Sequence, residues 1–435
     1  MSCCQHFAPV DGGAQTFTVA MPRVTFGRGA LAEAGERAKA LGMTRVALFT
    51  DPHLTAGPYV DTVRSSLEAA GLVVGVFDDI RVEPTDSSVM DGTRFLNDGE
   101  FDGMVSVGGG SVIDTAKGAL VYHRYPATFS DYFAPPVGTA TPVPGPVLPH
   151  LACPTTCGTG SECTGLSVIR IGELDTKFVI ASRFILPDAA LVDPTCAHSL
   201  PGKVLASTAF DLLSHALECY TARAYTQWPE VAQPMARPMI QGANPWSDLS
   251  AREALKLVGK YLVRGVEDAD DSEARDSLMW AATLAGMVFG NAGTHLPHGL
   301  SYGVTHLMRE ITTEAYPNPS PFVPHGISVI VNSPSVFRYT APGAPERHLQ
   351  AADYLGFDVS DTGLDDAGEV VATRIIAMMR ETDMPNGLGG VGFQLSDVKA
   401  LATSAVRQGR AVANSPRETN LNDIETIYER AMSYW

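Results

Sequence analysis

From about residue 16 to residue 192, short apolar runs alternate with stretches whose apolar positions recur at helical spacing. Runs at 46–50, 72–77, 101–107 and 151–154 read as buried strands, and a helix is predicted at 60–70 between the first two. Such alternation predicts a parallel sheet covered by helices. After Leu191-Val192-Asp193-Pro194 the pattern changes. Residues 203–221, 250–266, 272–291 and 367–382 keep only the helical period, which predicts an all-helical second half. The predicted organisation is an α/β domain over 1–200, with 1–15 as a flexible tail, and an all-α domain over 201–435.

Two segments break these periods. Residues 135–149 are rich in Pro, Gly and Thr and are expected to form a surface excursion. Residues 224–248 carry four Pro and two Trp between two predicted helices, and a loop that long inside a domain is usually functional. Because it directly follows the 203–221 helix, it is expected to act as a lid.

Candidate chemistry then appears at three places. The strand at 101–107 runs into Gly108-Gly109-Gly110-Ser111 and on into a helical stretch with Asp114 and Lys117. Glycines allow close backbone approach, and the first amides of a helix form an anion site suited to a pyrophosphate. The turn matches neither the usual dinucleotide fingerprint nor the P-loop, so alone it is as well explained by a tight turn. A second loop, Pro154-Thr155-Thr156-Cys157-Gly158-Thr159-Gly160-Ser161-Glu162, offers hydroxyls to phosphates, ribose or amide. Asp51, at the end of the 46–50 strand, would bind a ribose 2′-OH and repel a 2′-phosphate, favouring NAD over NADP. In the second half, Asp211 and His215 lie four residues apart and share a helix face, with His298 and His325 far downstream. Three imidazoles and a carboxylate suit Fe(II), Zn(II) or another borderline cation rather than calcium or magnesium.

Taken together and in this order, these segments resemble the iron-containing (group III) alcohol dehydrogenases. The match rests on Gly108-Gly109-Gly110-Ser111 with Asp114 and Lys117, and on the 154–162 loop. Phe210-Asp211 with His215-Ala216-Leu217-Glu218, and Pro324-His325-Gly326, complete it, so that it runs from about Arg23 to the C-terminus. Within the family the closest resemblance is to the hydroxyacid–oxoacid transhydrogenases. It is carried by Arg81-Val82-Glu83-Pro84-Thr85-Asp86, the insertion ending Arg237-Pro238-Met239-Ile240-Gln241-Gly242, Gly290-Asn291-Ala292-Gly293, His295, and Pro345-Glu346-Arg347-His348.

The resemblance implies a dehydroquinate synthase-like fold, with a dinucleotide-binding domain before a helical metal-binding domain. It makes Asp211, His215, His298 and His325 the metal ligands. It makes Asp51, Gly109, Gly110, Ser111, Asp114, Thr155, Thr156, Thr164 and Lys177 the contacts of NAD. The chain departs from the family at Tyr302, four residues after His298, where many members have a further His. His295 stands instead three residues before His298, so proton transfer is assigned to His295 and Tyr302. The implied reaction passes a hydride through NAD(H) from a hydroxyacid such as 4-hydroxybutyrate to an oxoacid such as 2-oxoglutarate. The alternative is an NAD-dependent 4-hydroxybutyrate or other primary alcohol dehydrogenase. Both substrates of the transhydrogenase are carboxylates, which calls for a cation, and Arg237 is the first candidate.

Composition narrows the remaining classes. A chain of 435 residues with 45% hydrophobic and 18% charged residues has enough apolar material for two domains. A formal charge of −17 argues against nucleic acid as a partner. No apolar run is long enough to span a bilayer, so no membrane partner is expected. The first ten residues show neither a charged and apolar secretory pattern nor an Arg-rich leader. The seven Cys lack zinc-ribbon spacing and read as reduced thiols. A cytoplasmic homo-oligomer, a dimer, is expected, acting on small molecules.

Overall fold

The computed structural model describes residues 5–8, 10–134, 137–172, 176–307 and 322–435. They fall into two compact units, residues 20–199 and residues 200–435, the latter joined by the described residues before 20.

The α/β unit contains strands β1 (Arg23–Phe26), β2 (Arg45–Phe49), β3 (Val73–Phe77), β4 (Gly103–Gly108), β5 (His150–Pro154), β6 (Leu166–Ile171), β7 (Thr176–Ala181) and β8 (Ala189–Val192). Its helices are α1 (Ala34–Ala40), α2 (Pro58–Ala69), α3 (Asp86–Gly99) and α4 (Gly110–Arg124). Six strands form one parallel sheet in the order β1-β8-β5-β4-β2-β3, while β6 and β7 pair antiparallel. β4 lies between β2 and β5, and all six of its residues are buried, which is why it reads as a continuous apolar run. Ala47, Phe49, Leu96, Met104, Val112 and Leu120 join sheet to helices in one core. From β2 the chain runs to β3 on one side and then crosses to β4 on the other. In a parallel sheet this reversal opens a crevice at the carboxyl ends of the two strands.

The helical unit contains α5 (Gly202–Thr221), α6 (Pro245–Glu267), α7 (Ser272–Ala292), α8 (Leu296–His306), α9 (His325–Ile330), α10 (Ser333–Thr340), α11 (Pro345–Tyr354), α12 (Ala367–Glu381), α13 (Val398–Ala405), α14 (Gly409–Ala413) and α15 (Leu421–Arg430). From Leu205 onward α5 is buried almost throughout, because α6, α7 and α9 all pack on it. A helix enclosed on all sides needs apolar residues on all faces, and its polar Asp211, His215 and Glu218 therefore stand out as costly exceptions. Among the described residues no helix is long and apolar enough to cross a membrane.

Three expectations change here. Residues 1–4 and 9 of the expected tail lie outside the described residues, but the rest of it is held against the helical unit. Ala14 N donates to Trp228 O (2.8 Å), Glu230 N donates to Gly12 O (3.2 Å), and His6, 1% exposed, meets Asp248 at 2.7 Å. Polar segments of this kind carry no period, so the sequence could not show what they pair with. They belong with the helices and not with the α/β domain to which the sequence assigned them.

The 135–149 excursion is more than surface. Residues 135–136 are outside the described set, but Val143 is buried in a cluster with Tyr132, Phe133 and Ile169. The proline-rich 224–248 segment is fixed at several points. Gln241 N donates to Asn291 O (2.8 Å), Gly242 N donates to Ala292 O (3.1 Å), and Asn244 with Ser247 forms a capping box that starts α6.

Candidate functional site

Asp211 and His215 stand one turn apart on α5, and His298 and His325 come from the first turns of α8 and α9. Asp211 Oδ1 lies 3.3 Å from His298 Nε2, 3.6 Å from His325 Nε2 and 3.9 Å from His215 Nε2. Donor atoms of Asp211, His298 and His325 all fall within 4.8 Å of one another. His215 stands beside this trio, its ring stacked on His298 at 4.5 Å and on Phe289 at 4.6 Å.

Asp211 and His215 side chains are 3% exposed and His298 is 7%, but His325 is 36%, so the accessible side of the cluster is that of His325. Asp211 Oδ1 and His298 Nε2 are buried without a hydrogen-bond partner, a costly state that a shared cation would relieve. The local field points the same way. Burial would lower His298, but the Glu218 charge together with Asp211 pushes it up to about 10. Burial would raise Asp211, but the surrounding histidines hold it below the usual carboxylate range. A position that holds a proton so firmly also favours a metal cation. The residues fit the ion that the sequence implies.

Packing explains the glycine of Pro324-His325-Gly326. A Cβ at Gly326 would lie 1.8 Å from Ser207 O, so only glycine lets α9 approach α5 closely enough to bring His325 to Asp211. Glu218, one turn beyond His215, is the residue whose part the spacing did not show. His298 Nδ1 donates to Glu218 Oε1 (2.6 Å), and Glu218 Oε2 accepts from His295 N (2.8 Å) and His298 N (3.3 Å). Its place in the stripe 211, 215, 218 was a legible signal; its partners, some eighty residues away, were not.

The groups expected to move protons have different surroundings. His295 is fully buried: Leu296 N donates to its Nδ1 (2.8 Å), and its Nε2 donates to Thr221 Oγ1 (3.0 Å). Burial, then the charge of His298, lowers it to about 3. It caps α8 as a neutral ring with both nitrogens engaged, which favours a packing role over a proton relay. Tyr302 is half-buried, one turn beyond His298 on α8. Arg237 donates to Thr18 Oγ1 (2.8 Å) and Thr16 Oγ1 (2.6 Å) and lines a cavity of about 440 Å³ with Trp228 and Arg410. None of the four metal-site residues lines that cavity.

In the α/β unit, Gly109 is the N-cap of α4 and makes no side-chain capping hydrogen bond. Neither Gly109 nor Gly110 has a left-handed φ, so close approach explains them. A Cβ would lie 3.2 Å from Thr156 Cγ2 at Gly109 and 2.6 Å from Thr159 Cγ2 at Gly110. The hydroxyl loop thus lies directly against the glycine turn, and Thr155 N donates to Gly108 O (3.0 Å). Asp51 follows β2; its Oδ1 accepts from His53 N (2.9 Å) and Leu54 N (3.2 Å), and burial, outweighing these bonds, raises its pKa. β2 and β4 flank the sheet's reversal, so Asp51 and the glycine turn sit where an α/β sheet offers a nucleotide crevice.

Other expected cofactor contacts are occupied within the protein. Asp114 accepts from Ser161 Oγ and from Val168 N (2.9 Å), and Thr164 Oγ1 accepts from Lys117 Nζ (3.2 Å). Lys117, fully buried and lowered by burial to about 8, also donates to Ser161 O (2.6 Å) and Leu166 O (2.8 Å). These side chains brace the loop. Lys177 pairs with Glu83 (2.6 Å), whose amide donates to Ser111 Oγ (3.1 Å). Glu83 has φ 65°, a strained value before a proline that nothing in the sequence announced. Cys163 is buried and its thiol pushed up, which suits a reduced, unreactive thiol.

Comparison with known proteins agrees with both units. The family model "Iron-containing alcohol dehydrogenase" matches residues 22–194, and "Fe-containing alcohol dehydrogenase family, C-terminal" matches residues 239–432. Proteins named "Hydroxyacid-oxoacid transhydrogenase, mitochondrial" from Bos taurus and Homo sapiens are each 40% identical over 96% of this chain and 90% of their own length. The Caenorhabditis elegans protein of that name is 35% identical over 100% of this chain and 97% of its own. Those names overturn the cytoplasmic location expected from the missing leader pattern.

Among solved structures, a 1,3-propanediol oxidoreductase superposes with TM-score 0.83 at 29% identity, covering 96% of this chain and 100% of that one. A sulfoacetaldehyde reductase from Bifidobacterium kashiwanohense in complex with NAD+ gives 0.78 at 25%, covering 97% and 100%. The family models thus cover most of the α/β unit and most of the helical unit: the chain belongs to the iron-containing alcohol dehydrogenase family, and it is an oxidoreductase.

Proposed function

We propose that this enzyme transfers a hydride through bound NAD(H) from a hydroxyacid such as 4-hydroxybutyrate to an oxoacid such as 2-oxoglutarate. The observation that carries the chemistry is the buried, unpartnered pair Asp211 Oδ1 and His298 Nε2 beside the accessible His325. The choice of substrates is supported by 40% identity, over 96% of the chain, to proteins named for that reaction.

Asp211, His215, His298 and His325 would hold the ion, Fe(II) or Zn(II), which supplies Lewis acidity toward the substrate's oxygen. Asp51, the glycine turn, Thr155 and Thr156 would bind the nucleotide. The donor loses hydride from its carbinol carbon and a proton from its hydroxyl, giving a semialdehyde. The oxoacid then takes that hydride at its keto carbon and a proton at its oxygen, giving the second hydroxyacid. No free NAD is consumed. Tyr302 is the remaining candidate for handling the proton, and a homodimer is the proposed assembly.

Purified enzyme given 4-hydroxybutyrate and 2-oxoglutarate without added nucleotide should form succinic semialdehyde and 2-hydroxyglutarate in equal amounts. Strict dependence on added NAD would instead make it an ordinary alcohol dehydrogenase. In the same assay Arg237→Met should raise KM for the acids about tenfold or more if Arg237 binds their carboxylate. An unchanged KM would assign Arg237 to holding Thr16 and Thr18.

A further inference from the structure

We propose that Glu218 is a positioning residue of the metal centre, fixing both the ring of His298 and the start of the helix that carries it. The inference rests on the reading of Asp211, His215, His298 and His325 as metal ligands.

The geometry is specific. Asp211, His215 and Glu218 follow one another at i, i+4 and i+7, so α5 presents all three along one stripe. Glu218 is 0% exposed, which makes its carboxylate expensive unless its lone pairs are filled. Among the described residues they are filled from the start of α8. Oε1 takes the proton of His298 Nδ1 at 2.6 Å, and Oε2 takes the amides of His295 (2.8 Å) and His298 (3.3 Å). His295 is the N-cap of α8 and His298 its third residue; Pro297 has no N–H, so one carboxylate satisfies two of the three donors that this helix start leaves open.

Two consequences follow from these contacts. With Nδ1 as the donor, Nε2, the nitrogen 3.3 Å from Asp211 Oδ1, is the one left to take a cation in place of a proton. The proton that fixes this tautomer also raises the basicity of the ring, as outer carboxylates do for metal-bound histidines. Second, the charges close. Asp211 and Glu218 together carry two negative charges, which match one divalent ion in a site open only on the side of His325 among the described residues. The ion pair of Glu218 among the described residues is with His298, and no Lys or Arg shares it.

The test uses full-length enzyme stripped of metal and titrated with Zn(II) against a competing chelator, for the wild type and Glu218→Gln. Gln matches Glu in shape but carries no charge and presents an NH2 where α8 offers N–H donors. Zn(II) affinity should fall ten- to a hundredfold, and the rise in melting temperature on adding Zn(II) should shrink. A purely structural Glu218 would lower the melting temperature equally with and without Zn(II) and leave the affinity unchanged, which overturns the proposal.

The far-UV circular dichroism of the metal-free variant, dominated by its helices, reports whether the helical unit is folded. Should Glu218→Gln fail to accumulate, Glu218→Asp carries the test. It keeps the charge on an arm one methylene shorter, and wild-type Zn(II) affinity there overturns the proposal just as clearly. A wild type that takes up no Zn(II) sinks the metal reading itself, an outcome distinct from a variant that binds as well as the wild type.

Discussion

Asp211→Asn is expected to empty the metal centre and abolish hydride transfer while leaving NAD binding intact. Asn has nearly the same shape, so packing within α5 is preserved and the change isolates the charge. Asp211 Oδ1 lies between 3.3 and 3.9 Å from the Nε2 of each of the three imidazoles. Losing an outer partner of a metal ligand typically costs ten- to a hundredfold in affinity, so losing the charged ligand itself should cost more than about a hundredfold. Metal content of the purified variant and exchange between hydroxyacid and oxoacid are the measurements. A variant that retains stoichiometric metal would remove Asp211 from the centre.

Arg347→Met is expected to destabilise the helical unit by about 3–5 kcal/mol, the usual consequence of removing one partner from a buried ion pair. Arg347 is 4% exposed; its guanidinium meets both oxygens of Asp248, donates to Tyr220 O (2.6 Å) and lies 4.1 Å over the Tyr220 ring. Methionine fills similar volume but leaves the Asp248 carboxylate, among the described residues, with His6 as its charged or hydrogen-bonding side-chain partner. Urea unfolding at pH 7 measures the loss, and a change within 0.5 kcal/mol, about the range of neutral surface substitutions, would show the pair to be dispensable.

The pH dependence has a definite sign. Burial pushes Asp248 up, but the hydrogen bonds of His6 and Arg347 more than offset it, and its folded pKa is lowered. A lowered carboxylate contributes stability above its unfolded value of about 4 and loses it as the pH falls through the folded value. The gap between wild type and variant should therefore narrow below about pH 4. Because His6 shares Asp248, the residues before 20 should become more accessible to protease in the variant.

What could be read from the chain follows the range of each interaction. The strands were legible because β4 and its neighbours are covered on both faces and run apolar without interruption. The helices were legible because their period persists over many turns, and α5 showed Asp211 and His215 as a pair because i and i+4 must share a face. His298 and His325 were placed by the resemblance, and their approach to Asp211 is a tertiary fact.

The contacts that the sequence did not show share a cause. His295 lies at helical spacing from His298, but Leu296 N and Thr221 engage both of its nitrogens. Asp114 and Thr164 have ligand-binding chemistry, but Lys117, Ser161 and Val168 use it to hold the loop. The first residues look like a tail because their partners, Trp228, Asp248 and Arg347, lie more than two hundred positions away.

By itself, then, the sequence determined the succession of α/β and helical halves, the glycine turn and the α5 stripe, since each depends on neighbours within a few turns of backbone. Only the tertiary structure decided which polar side chains are available to a ligand and which are consumed within the protein. That depends on what the distant chain brings against them: Glu218 at the start of α8, Ser207 against Gly326, and Glu83 between Lys177 and Ser111. A buried donor or acceptor takes whatever partner packing supplies, and linear spacing carries no record of that partner.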